Sequence, residues 1–282
     1  MQLAARTPQE LVRTAATDGY SLTYRAWRPT SEPRATIVLF NGIMSHSGWF
    51  FPLVDPLVNA GYAVIGADRR GSGLNEEARG DAPSGKAIVD DALAIIEHSV
   101  PDGHPIILAG WCWGSILALN LVRPLGDRVG ALVLLTPGLF PTTRVVQAAR
   151  ETLAAAAGAA DDEPAVETPI AETMFTKGPY LDAFVRPDPH KLLRLTPRFF
   201  AHTKKLGMGA TMALRKLSLP TLLLLAEDDE ATDNALADAG MAKASRAAIT
   251  RRTAPGAHGM QFDAPEVVTD TMLSFMDRVL EG

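Results

Sequence analysis

The sequence predicts an α/β fold: a mostly parallel central sheet flanked by helices, carrying one inserted helical cap. Two observations predict it. Short apolar, β-branched runs alternate with amphipathic helical stretches along most of the 282 residues, and strands that alternate with helices require parallel crossovers. The alternation then lapses over residues 141–219, a stretch too long for a connecting loop in a compact domain.

The first element is a hairpin, because LVRTAATDGYSLTYRAW reads as two strands around a Thr-Asp-Gly turn. Strands are expected next at 35–40 (ATIVLF), 62–68 (YAVIGAD), 105–110 (PIILAG), 131–137 (ALVLLTP), 220–226 (PTLLLLA) and 246–252 (RAAITRR). Between and after them, SGKAIVDDALAIIEHSV, GSILALNLVRPL and EVVTDTMLSFMDRVL repeat apolar residues at three- and four-residue spacing, the period of a helix. Residues 1–140 and 220–282 therefore form the expected core. The insertion, 141–219, holds no convincing strand. It has an alanine-rich stretch (VQAARETLAAAAGAA), an exposed acidic bend (DDEPAVETP) and helical fragments.

Composition narrows the function classes. Hydrophobic residues make up 47% and charged residues 21%, ordinary for a globular chain, and the net charge of -5 offers no basic field for nucleic acid or acidic lipid. No apolar run is long enough to span a bilayer and the N-terminus lacks a secretory pattern, so no stable membrane insertion is expected. The single cysteine forbids an intrachain disulfide, fits a cytoplasmic address and excludes a cysteine-rich metal site.

That cysteine sits in a telling place. LAGWCWGSIL, residues 108–117, has the outline of the G-x-S-x-G nucleophile elbow, with Cys112 where serine is expected. An elbow needs a strand, a sharp turn and a helix; PIILAG supplies the strand and WGSILALNLV the helix. Three readings compete for Cys112: a nucleophile, a small buried hydrophobe, or a replaced serine. The context favours the nucleophile. Ser115 is a poor substitute, since it lies past Gly114 inside the helix.

A base and an orienting acid should follow in the order nucleophile, acid, histidine. Of the six histidines only His258, in APGAHGMQF, follows the acidic loop of TLLLLAEDDEATDN. Glu227, Asp228 and Asp229 are adjacent candidates for the acid. Asp229 is preferred because it lies far enough past the strand end to reach the histidine loop, with Asp228 second. Oxyanion donors are usually backbone N–H groups. Trp113, after the nucleophile, should give one, and Ile43, beyond the tight path at Asn41-Gly42, the other. Trp111 and Trp113 either narrow a substrate slot or pack behind the elbow. Met174, Phe175, Phe184, Phe199, Phe200, Met208 and Met212 are candidates for an apolar pocket, with Met174, Phe175, Phe184 and Trp111 as the chosen lining.

With these pieces in order, the chain resembles the α/β-hydrolase family, and within it the monoglyceride lipase and lysophospholipase-like group, over nearly its whole length. NGIMSHSGWF is similar to that group's HG-x-x-x-HS oxyanion loop, with Asn41 in place of the usual histidine. ADRRGSGLN resembles its D-x-R-G-x-G-x-S turn, with Asn75 at the last position, and LLLLAEDDEATDN matches its acid loop with Asp229 in the catalytic place. The resemblance implies hydrolysis of acyl esters, an apolar pocket shaped by a cap, no cofactor, and oxyanion donors at Ile43 and Trp113. Cysteine at the elbow departs from the group, although relatives such as polyhydroxyalkanoate synthases and dienelactone hydrolases use it.

A neighbouring histidine and a helix N-terminus both favour the thiolate form of a cysteine. The expected cycle is a Cys112-His258-Asp229 triad forming a thioester intermediate on a small-molecule acyl ester or thioester, the donor free or carrier-bound. Esterase or thioesterase action comes first. An acyltransferase or cyclase, in which an alcohol or amine replaces water, is the alternative. A non-catalytic ligand-binding relative ranks behind both, since acid and histidine are present.

Overall fold

The computed structural model describes residues 2–281. Its hairpin comprises β1 (Glu10–Ala15) and β2 (Ser21–Trp27), and then come β3 (Thr36–Phe40), α1 (Phe51–Asn59), β4 (Ala63–Ala67), α2 (Gly85–Ser99), β5 (Ile106–Trp111), α3 (Trp113–Leu125) and β6 (Val129–Leu135). The inserted stretch contains α4 (Thr143–Ala155), β7 (Val166–Glu167), β8 (Arg194–Leu195) and α5 (Pro197–Arg215). The chain then completes β9 (Thr221–Ala226), α6 (Asn234–Met241), β10 (Ile249–Ala254), α7 (Met260–Asp263) and α8 (Pro265–Glu281).

Eight strands join in the order β1-β2-β4-β3-β5-β6-β9-β10. The β1/β2 and β2/β4 pairs are antiparallel, and every other pair is parallel. In β3, β4, β5 and β9 every residue is buried. That is the pattern of strands covered on both faces, and it explains why they read as unbroken apolar runs. Helix α1 packs on α8 and α2 on α3, so helices flank the sheet. Ser84 starts α2 by accepting from the Ala87 N–H, a side-chain cap for a donor the helix cannot satisfy itself.

Three details differ from expectation. Helices α1 and α6 were not foreseen, and β10 lies three residues later than the run at 246–252. The inserted stretch is also not purely helical: β7 and β8 pair antiparallel, Val166 opposite Leu195. Two-residue strands are too short to carry any periodicity. Among the described residues, no helix is long and apolar enough to cross a membrane.

The parallel strands β3, β5, β6, β9 and β10 end on one edge of the sheet. The loops leaving that edge carry Asn41-Gly42-Ile43, Cys112, Thr136, Asp229 and His258. In open α/β sheets, ligands bind beyond the carboxyl ends of the strands.

Candidate active site

Cys112 occupies the apex between β5 and α3 with φ 54° and ψ -119°. A non-glycine residue held there costs on the order of 1–3 kcal/mol. The neighbours hold it in place. Its N–H donates to Leu135 O at 3.0 Å, and its carbonyl accepts from Ser115 N at 3.1 Å and Gly138 N at 2.9 Å. The turn closes only because both motif glycines lack a side chain. A Cβ on Gly110 would stand 2.5 Å from Ser115 N, and one on Gly114 would stand 2.0 Å from Phe40 O. Ser115 is buried and donates its hydroxyl to Gly110 O at 2.7 Å, so it is committed to the turn.

The acidic loop and the histidine loop meet. His258 Nδ1 lies 2.9 Å from Asp229 Oδ2 and 3.0 Å from Oδ1. Asp229 Oδ1 also accepts from Ala231 N and Thr232 N, both at 2.8 Å. Neither the His258 nor the Asp229 side chain has exposed surface. Asp228, the second candidate, is exposed and uses its N–H to donate to Gly256 O. The backbone of His258 is fastened on two sides. Its carbonyl accepts from Trp111 Nε1 at 3.0 Å and Thr136 Oγ1 at 3.3 Å, and its N–H donates to Met174 O at 3.1 Å.

Burial alone would discharge the His258 ring. The carboxylate of Asp229, and secondarily the sulfur of Cys112, outweigh that and raise its pKa to about 10, so the ring is charged at neutral pH. Cys112 thus acts on the ring electrostatically, yet buried Nε2 has no hydrogen-bond partner of acceptable geometry among the described residues.

A cavity of about 130 Å³ opens beside Cys112 and is shared by Ile43, Trp113 and His258. The backbone N–H groups of Ile43 and Trp113 donate to no protein acceptor among the described residues. The rest of the lining is mostly apolar, and includes Ile116, Val145, Ile170 and Phe200. Of the pocket candidates chosen from sequence, none lines this cavity, and all four are corrected. Trp111 is fully buried and packs against Trp49, Phe50 and Phe175 behind the histidine. Phe175 faces Trp49 and the His258 ring, and its carbonyl accepts from Gly259 N at 2.7 Å. Phe184 packs on Phe51 and Phe262. Met174 is buried and contributes its carbonyl to His258. From the wider set, Phe200 does reach the cavity, Phe199 stacks on Trp113, and Met208 and Met212 are exposed.

Two motif departures have local explanations. Asn41 uses its side-chain amide to donate to Gly42 O at 2.9 Å and Ser45 O at 2.6 Å, knitting the loop. Asn75 accepts from Thr23 N at 2.7 Å and donates to Asp68 O at 2.9 Å, which ties β2 to the turn.

Residues 31–264 match the model of the Hydrolase_4 family, described as serine aminopeptidase, S33. The chain belongs to this family. Among its relatives, this Hydrolase_4 member is 29% identical to human monoglyceride lipase over 139 residues, 47% of this chain and 46% of that protein. It is 28% identical to the phospholipase YtpA of Bacillus subtilis over 118 residues, 42% and 44% of the two chains. The matched part spans less than half of each relative. Among solved structures, a soluble variant of monoglyceride lipase from Saccharomyces cerevisiae superimposes with a TM-score of 0.84 at 19% identity, covering 99% of this chain and 97% of that one. A carboxyl esterase from Bacillus coagulans gives 0.76 at 15% identity, covering 97% and 99%. At such identities these likenesses establish the α/β-hydrolase fold. The family description names serine, and this Hydrolase_4 member carries cysteine at its elbow.

Proposed function

We propose that the protein is an acyl-ester or thioester hydrolase acting through a thioacyl enzyme on Cys112. One observation carries this reading: Cys112 is held at φ 54° at the elbow apex, on a cavity it shares with His258. Positive φ also occurs at Ala78 and Thr136, so the weight lies on the conjunction of a strained sulfur-bearing residue with the cavity and the histidine, rather than on strain alone.

In the proposed cycle the Cys112 sulfur attacks the acyl carbonyl, its proton resting on His258. The carbonyl π pair moves onto oxygen, which the N–H groups of Ile43 and Trp113 receive. Collapse expels the alkoxide or thiolate, which takes the proton from His258. Water then gives a proton to His258 and attacks the thioester; collapse expels the Cys112 sulfur and releases the carboxylic acid, leaving the proton on His258 as at the start. Asp229 orients the ring and keeps its charge favourable throughout.

Size and chemistry narrow the donor. An apolar cavity of ~150 Å³ accommodates benzene, so about 130 Å³ suits an apolar acyl group of roughly six heavy atoms. The names of the relatives bring oxygen esters to this reading, and the sulfur nucleophile adds thioesters, free or carrier-bound, in the cytoplasm. Residues 141–219 serve as a cap, since Pro141, Val145, Pro169, Ile170 and Phe200 all line the cavity. The full enclosure of His258 favours a second reading, in which an alcohol or amine takes the place of water and the enzyme is an acyltransferase or cyclase.

Intact-mass measurement within seconds of adding butanoyl nitrophenyl ester or a butanoyl thioester tests the proposal. An adduct on wild type, absent in Cys112→Ala and decaying with release of butanoate, is expected. Faster decay with added amine or alcohol, and the matching amide or ester as product, selects transfer. No adduct with any donor removes the catalytic reading.

A further inference from the structure

Ile43 and Trp113 both line the cavity, and the structure immobilises their backbone N–H groups by different means. The N–H of Trp113 shares a peptide with the carbonyl of Cys112. That carbonyl accepts from Ser115 N and Gly138 N, so backbone alone fixes the plane. The N–H of Ile43 shares a peptide with the carbonyl of Gly42, in a loop with neither helical nor strand pairing. Every described peptide is trans, so in each of these units N–H and C=O point in opposite directions. Whatever holds the Gly42 carbonyl therefore aims the Ile43 N–H.

Two side chains hold it: Asn41 Nδ2 donates to Gly42 O at 2.9 Å and Arg69 Nη1 at 3.0 Å, and Arg69 Nη2 also donates to Ile43 O. One planar fork grips two consecutive carbonyls, a task suited to a guanidinium and poorly suited to an ammonium. The gripped loop stands against the nucleophile: a Cβ on Gly42 would lie 3.3 Å from the Cβ of Cys112 and 3.8 Å from its sulfur. Arg69 is itself immobilised. It is 5% exposed, and its guanidinium lies 5.0 Å from the centre of the Trp113 ring and 5.4 Å from that of Phe199. Burial lowers its pKa to about 10, opposed chiefly by Asp68, which leaves it charged at neutral pH.

We infer that Arg69 is a positioning residue of the acyl-transfer site: by gripping the Gly42 and Ile43 carbonyls it turns the Ile43 N–H toward the developing oxyanion. The inference rests on the Cys112 reading above. It assigns Arg69 a part in the transition state and none in binding the ground-state donor. Asn41 shares the Gly42 carbonyl, so Arg69 acts there as one of two donors; at Ile43 O, which belongs to the following peptide, Arg69 is the donor that keeps the two successive peptide planes in fixed relation.

The test measures single-turnover acylation by a butanoyl thioester across donor concentration, in wild type, Arg69→Met, Arg69→Gln and Arg69→Lys. It is paired with the dissociation constant for butanal. Butanal adds to Cys112 as a hemithioacetal: the S–C bond forms, the carbonyl π pair moves to oxygen, and the thiol proton passes through His258 to that oxygen. Loss of one oxyanion donor costs about 10²–10³ in rate. Arg69→Met is therefore expected to lose about 10² in the saturating acylation rate and to weaken butanal comparably. Its half-saturating thioester concentration should stay within about threefold, the sign of an interaction made only in the transition state. Arg69→Lys and Arg69→Gln, each with fewer donors than the fork, should fall between. If Arg69→Met does not fold, these two carry the test. Folded Arg69 variants that acylate at the wild-type rate overturn the inference, as does a loss seen equally in half-saturation. Wild type that forms neither adduct sinks the Cys112 reading and this inference together, whereas wild-type adducts with unimpaired variants sink only the role of Arg69.

Discussion

Asp229 meets His258 through both carboxylate oxygens, and neither side chain reaches solvent. The acid is pinned in turn by two backbone N–H groups of its own loop. Removing one partner of a buried ion pair typically costs about 3–5 kcal/mol, because the other is left uncompensated. Asp229→Ala should therefore be strongly destabilised in thermal melts. Asp229→Asn should melt nearer wild type, since its oxygen still accepts from Ala231 and Thr232, yet lose roughly 10²–10⁴ in acylation, its amide N–H₂ now facing Nδ1. Equal acylation by Asp229→Asn and wild type would remove the acid's role.

The raised pKa of His258 links fold to pH. The charged ring stabilises the folded state fully below about pH 6.5, its unfolded value, and that contribution disappears as pH rises through about 10. Wild type should lose melting temperature between pH 7 and pH 10 more steeply than His258→Gln. Cys112 supports the raised value, so in Cys112→Ala the loss should set in at lower pH. Parallel pH curves for wild type and His258→Gln would contradict the linkage.

Strain at the elbow gives a separable prediction. Cys112→Ala removes the sulfur but keeps a Cβ at φ 54°, whereas Cys112→Gly removes both. Glycine costs entropy in the unfolded chain, so the net gain of glycine over alanine should be about 1 kcal/mol, or ~2 °C in melting temperature. Both variants should fail to acylate. An alanine variant that melts above the glycine variant would deny the strain.

Acyl length should be read by the cavity wall. Wild type should acylate fastest with butanoyl or pentanoyl donors and fall sharply by decanoyl. Phe200→Ala, which truncates a lining ring, should move that limit toward longer chains without slowing butanoyl transfer. A flat profile from butanoyl to hexadecanoyl in wild type would refute the size limit.

Order along the chain and position at strand ends made it readable that the Cys112 turn and the His258 loop lie at one edge of the sheet, because these are one-dimensional signals. The choice between Asp228 and Asp229 was readable only as a preference, since it turns on how the loop rotates after β9. In the structure Asp228 donates its N–H to Gly256 O and faces out, while Asp229 faces in. Trp111 was undecidable because β5 is buried on both faces, so alternation carries no information. Met174, Phe175 and Phe184 lie in a stretch without regular periodicity, where tertiary packing alone decides which side chain meets the cavity. Helix α1 was hidden by Pro52 and Pro56. The first sits in the opening turn, where proline is tolerated, and the second, the sixth residue of the helix, interrupts any helical reading.

Two hydrogen bonds described above, His258 N to Met174 O and Gly259 N to Phe175 O, sew the histidine loop to the inserted stretch. If residues 174–175 were displaced with these bonds intact, His258 would be drawn away from Asp229. The inserted stretch is thus anchored on the histidine side of the cavity, while on the other side it contributes the side chains of Val145 and Phe200, from α4 and α5, with no backbone bond to the histidine loop from either helix among the described residues.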